Sequence, residues 1–145
     1  MSHMSQYDAY KKVDVETASQ GKLVVMLFNG AIQRAEEAKR QLEKGKLDKA
    51  HNNLIRAQEI VTELRTALDV NTGEIARNLD RLYEYFHHLL VQANLNKQIK
   101  PIEECVALMT EMRDTWHEAF ALAQGQSSSA PKYNPHGAAA VNVQG

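Results

Sequence analysis

At 145 residues the chain has room for one domain, and with 24 % charged and 43 % hydrophobic residues it has the make-up of an ordinary soluble globule. A formal net charge of −1 excludes broad electrostatic binding to nucleic acid or an anionic membrane. The single cysteine, Cys105, excludes an internal disulfide and suits a reducing, cytoplasmic setting, and no secretory signal opens the chain.

Met1-Ser2-His3-Met4 reads as an expression scar, with the natural start at Met4. The segment that follows carries Tyr7, Tyr10, Val13 and Val15 without a strong helix signal. Residues 1–18 are therefore expected to be a scar followed by a lid that folds back over the first helix. Ser19 is the expected N-cap, and helix 1 is expected from Gln20 to about Lys44, ending at a C′ glycine, Gly45. Within it, Leu23 to Phe28 are six consecutive apolar residues. Successive residues step round a helix by roughly 100°, so this run leaves no face for water. It is too short to span a bilayer, which takes about 20 apolar residues. Something must cover its outside as well as its inside.

Helix 2 is expected from Leu47 to Leu68, with Leu47, Ala50, Leu54, Ala57, Val61, Leu64 and Leu68 as its stripe. After a break at Asn71-Thr72-Gly73-Glu74, helix 3 presents Ile75, Leu79, Leu82, Phe86, Leu89 and Ala93. Pro101 suits the first turn of helix 4, whose stripe is Ile102, Val106, Met109, Met112, Trp116 and Phe120. No strand signal appears. The expected fold is all-α: an antiparallel up-down-up-down four-helix bundle over residues 19–124. Residues 125–145 are rich in Ser, Pro, Gly and Ala and are expected to be a flexible tail, of which Ala138–Val143 is apolar enough to lie in a groove.

Catalytic chemistry finds no address in this pattern. Glu84 and His87 have the Glu-x-x-His spacing of di-metal bundles, echoed by Asp114 and His117. With Leu82 and Phe86 facing inward, however, Glu84 points away and His87 lies about 120° off the stripe. The ligands diverge, so neither metal nor cofactor is expected, and His87-His88 becomes a surface pair. Cys105 falls near the core stripe beside Glu103 and Glu104, which suits a buried, unreactive thiol. No glycine-rich phosphate loop is present.

The apolar residues off the stripes point instead to binding. Taking Leu27, Ala31, Ala38 and Leu42 as the inner line of helix 1, Val25, Met26 and Ile32 lie more than about 90° away. Ile55 on helix 2, Val91 and Leu95 on helix 3, and Leu108 and Leu122 on helix 4 are further outliers. So many surplus apolar positions favour grooves for an apolar helix. A structural or adaptor bundle that homodimerises through the same surface, with no unfolded client, is the competing reading.

Four segments then carry a resemblance: Tyr10–Ala31 (YKKVDVETASQGKLVVMLFNGA), Asn53–Leu64 (NLIRAQEIVTEL), Gly73–Asn94 (GEIARNLDRLYEYFHHLLVQAN) and Met112–Trp116 (MRDTW). In this order they resemble the FliS-type flagellar export chaperones. Gln20 departs from that pattern, which often has proline after the capping serine, and the tail after Gly125 lies outside it. The resemblance implies a cytoplasmic, non-enzymatic bundle that binds the disordered C-terminal segment of flagellin, prevents premature polymerisation and delivers it to the type III export apparatus. It also implies an N-terminal lid that occupies part of the groove when flagellin is absent, with Tyr7 and Tyr10 matching the lid tyrosines. Val25, Met26, Ile32, Ile55, Val91, Leu95 and Leu108 complete the expected partner-binding set from the off-stripe positions alone. Flagellin is the expected partner; contact with export-gate components and homodimerisation stay open.

Overall fold

The computed structural model describes residues 6–125, with side chains from Gln20 to Gly125. It is built from α1 (Gln6–Glu43), α2 (Leu47–Thr66), α3 (Glu74–Asn96) and α4 (Lys100–Ala123), with a single 3-10 turn, Val70–Thr72, between α2 and α3. No strand occurs among the described residues. The result is an all-α four-helix bundle. None of these helices is long and apolar enough to cross a membrane.

The connections follow from local chemistry. Gly45 takes φ +73°, and the Gly45 and Lys46 N–H groups donate to Leu42 O at 3.0 Å and Gln41 O at 2.8 Å. That pair of bonds is the Schellman closure of a helix C-terminus. Asp69 caps the 3-10 turn by accepting from Asn71 N–H at 3.1 Å. Gly73, at φ +152°, then makes the sharp entry into α3. Pro101 sits in the first turn of α4, where a missing N–H costs nothing.

Cross-helix pairs set the directions. On α1 and α4, Lys39 meets Glu103 at 2.9 Å and Asn29 accepts from Arg113 at 2.9 Å. Ten residues down one helix are therefore ten residues up the other. On α2 and α3, Arg65 grips Asp80 with two bonds of 2.9 and 3.1 Å, and His51 pairs with Asn94. Tyr85 donates to Glu104 across α3 and α4 at 2.5 Å. Each helix packs on two others in a closed antiparallel ring, α1 against α2 and α4, α3 against α2 and α4.

The core sets an aromatic cluster among large aliphatic side chains and is rich in alanine along α1 and α2. Phe28 meets Tyr83 edge-on at 5.6 Å, and Tyr83 stacks on Phe86 at 5.7 Å. Ala31, Ala35 and Ala38 of α1, with Ala50 and Ala57 of α2, are fully buried and let these helices approach closely.

Two expectations for helix 1 are corrected. Its start is Gln6, so Ser19 lies inside the helix and caps nothing. Backbone that continues α1 cannot lie back over α1, so residues 6–18 are not a folded-back lid here; the side chains of Tyr7, Tyr10, Val13 and Val15 fall outside the described residues. Second, Ile32 is a core residue, 6 % exposed. The inner line runs through Phe28, Ala31, Ala35 and Ala38, with Leu27 and Leu42 at its edge. The large leucines pull a sequence-based axis toward themselves, whereas close packing of the alanines fixes the true one, turned so as to bury Ile32. The tail from residue 126 onward also falls outside the described residues.

Candidate binding surface

The groups with catalytic potential are spread apart or inert. Cys105 is fully buried and its S–H points to Phe86 O at 3.6 Å. Burial first, and Glu104 second, push the thiol pKa up to about 12, so the thiolate nucleophile is suppressed. His87 is half-buried rather than a fully exposed partner of His88. Its pKa is lowered by burial and then by Arg65, which itself is held to Asp80. Among the described residues, no three His, Cys, Asp or Glu side chains are placed to hold a metal ion.

The apolar surplus is organised differently. Between the N-terminal half of α1 and the last turns of α4 lies a trough of about 610 Å³. One wall is Lys22, Val25 and Met26; the other is His117, Phe120, Ala121 and Gln124. Lys22, Val25 and Met26 are spaced i, i+3, i+4, and the α4 wall is spaced i, i+3, i+4, i+7. Each wall is thus a single helical face, and the gap between two such ridges accepts a third helix. Met26 is 65 % exposed, and Leu23 and Leu122 nearby are also exposed.

The floor of the trough is set by a close approach. A Cβ on Gly21 would lie 2.7 Å from Phe120 Cγ, so only glycine lets the ring sit against α1. Phe120 stacks on Trp116 at 5.3 Å, and Trp116 Nε1–H donates to Tyr83 Oη at 2.7 Å. This chain of contacts ties the trough to the core, and burial pushes the Tyr83 pKa up to about 12, so its hydroxyl stays a neutral partner. Trp116 also lines a second opening of about 510 Å³ at the α2–α3 turn, with Leu68, Ile75 and Leu79.

The expected partner-binding residues divide by place. Val25 and Met26 are in the trough. Following the α2–α3 register, Ile55 (36 % exposed) comes level with Leu90 and Val91, and Leu95 (77 % exposed) with Ala50 and His51. Ile55 lies one turn beyond His51 and Val91 one turn before Asn94, so both flank the His51–Asn94 seam between α2 and α3, with Leu95 one turn beyond Val91. Leu108 is half-buried against the core, and Ile32 is inside it. Sequence reasoning missed Gly21, Lys22, His117, Phe120, Ala121 and Gln124. The regular spacing of the last four is a readable signal, but the inner stripe expected for helix 4 takes in Phe120.

A family model described as "Flagellar protein FliS" matches residues 3–123. The chain belongs to the FliS family. The flagellar secretion chaperone FliS of Bacillus subtilis (strain 168) is 33 % identical over 120 residues, covering 83 % of this chain and 90 % of that protein. FliS of Salmonella typhimurium is 36 % identical over 126 residues, covering 83 % and 93 %, and FliS of Escherichia coli is 34 % identical over 118 residues, covering 77 % and 87 %. FliS is a family of flagellar secretion chaperones, not an enzyme class. Membership in the FliS family implies a flagellar client.

Proposed function

We propose that the protein binds the disordered C-terminal segment of flagellin, keeps it from polymerising in the cytoplasm and delivers it to the flagellar type III export apparatus. The observation that carries this reading is the α1/α4 trough, with two helical ridges flanking an apolar floor. An amphipathic client helix laid between them would set apolar side chains at i, i+3, i+4 and i+7 against Val25, Met26 and Phe120. The α2/α3 face with Ile55, Val91 and Leu95 would take a second apolar piece of the same client, and Leu108 a third. Tyr7 and Tyr10, in the first turns of α1, complete the client-contacting set that the family resemblance implies.

Each Leu-sized client side chain buried contributes about 1.5–3 kcal/mol, while ordering a disordered ligand costs about 2–5 kcal/mol or more. Several anchors are therefore needed, and such a complex can be tight yet release its client without ATP. Masking is the mechanism: client surface that packs in the filament is held by the chaperone instead.

Calorimetric titration tests the proposal. Full-length flagellin and a peptide of its C-terminal segment should each bind saturably, and flagellin lacking that segment should not. Equal binding to the shortened flagellin, or no binding alongside concentration-dependent self-association, would overturn it in favour of a homodimerising adaptor bundle.

A further inference from the structure

We infer that the chain's own C-terminal segment, Ala138–Val143, docks in the α1/α4 trough and competes for it with any client. The first observation is where the tail is attached. Gln124 and Ala121 are themselves trough-lining residues, and the next residue is Gly125. Gly125 takes φ +82° and its N–H donates to Leu122 O at 2.9 Å, so helix and helix direction end there. Among the described residues no atom lies within 4 Å of where its Cβ would be, and its positive φ is what calls for glycine.

Tail composition is the second observation. Gln126–Gly137 is a polar spacer with two prolines, and Ala-Ala-Ala-Val-Asn-Val follows. Of residues 126–145 only Lys132 carries a full charge, in a chain that is 24 % charged. The spacer has the Ser, Pro, Gly and Gln make-up of a chain that stays in water, whereas the strip beyond it is uncharged and apolar at five of six positions. Reach is the third. A flexible chain of the length between Gly125 and Ala138 spans about 20 Å, and the α4 wall of the trough is only about 10 Å long. The strip thus meets the trough at millimolar effective concentration. The N-terminal residues do not compete for this place in the structure, because Gln6–Ser19 continue α1 away from it.

The docking is independent of the flagellin reading; only the competition rests on it. The experiment uses the full chain labelled at methionine methyls. Met26 is the exposed methionine of the trough, and Met109 is fully buried and serves as an internal reference. Replacing Ala139 and Val141 together by Asp should shift the Met26 resonance and leave Met109 unmoved, at every protein concentration. Replacing Ser128 and Ser129 by Asp in the spacer should shift neither. The same Ala139→Asp/Val141→Asp chain should bind a flagellin C-terminal peptide about three- to tenfold more tightly, the gain expected on freeing a mostly occupied site. An unchanged Met26 resonance, or a shift that appears only as concentration rises and so reports a second copy, overturns the docking. A shifted Met26 with unchanged peptide affinity leaves the docking standing but removes the client from this trough, which overturns the competition.

Discussion

Ile32→Asp should unfold the protein or lower its thermal midpoint by more than about 10 °C. Ile32 packs in the cluster formed by Phe28, Ala35, Leu54 and Tyr83. Aspartate there removes a buried branched side chain and puts a carboxylate into an apolar cluster. Such changes cost about 4–5 kcal/mol or more, a large part of a domain's usual 5–15 kcal/mol. A thermal melt followed by circular dichroism measures it. A shift below about 3 °C would show that Ile32 faces water and that the inner line of α1 runs through Leu27 and Leu42 after all.

Met26→Asp, six residues earlier on another face of α1, should do the opposite. Met26 is 65 % exposed, so the fold loses only the helix propensity of Met over Asp, about 0.5 kcal/mol. Binding of the flagellin C-terminal segment should weaken at least about 30-fold, because one anchor worth about 1.5–3 kcal/mol is lost and a charge is placed in the interface, each 1.4 kcal/mol being about tenfold in affinity. Calorimetry and a melt on the same preparation decide it. Unchanged affinity with an intact fold would move the client off the α1/α4 trough.

These two residues also show how far the fold and the site could be read from the sequence. Four amphipathic segments, a glycine at the end of the first and a proline at the start of the last were enough for the bundle and its antiparallel order, because period and punctuation are local properties. The rotation of α1 about its axis was not local. Leu27 and Leu42 outweigh Ala31, Ala35 and Ala38 in any hydrophobicity count, yet the alanines allow α2 to approach and so decide which face is buried. Ile32 was misplaced for that reason, while Met26, nearly opposite Phe28 on the helix, was exposed under either axis. Tyr83 and Leu90 were missed in the same way: the core side of α3 is broader than a single stripe.

The start of α1 illustrates a second limit. Thr17-Ala18-Ser19 offers capping oxygens, but a capping residue ends nothing when the preceding residues can continue the helix, and no proline or glycine stands between Gln6 and Gln20. The close approach of Gly21 to Phe120 lay beyond sequence reasoning altogether. It joins residues about a hundred positions apart, and a glycine inside a helix reads only as a propensity cost until its neighbour is known. Gly30 drew attention first, but a Cβ there would meet Ile60 Cδ1 at an ordinary 3.4 Å.

Methionine-methyl spectra of the wild-type chain titrated with flagellin C-terminal peptide test most directly whether a client helix sits in the α1/α4 trough. The Met26 resonance should move to saturation with the stoichiometry of the complex, while Met109, sealed in the core, keeps its position. A Met26 resonance that stays in place while the peptide binds would contradict the account.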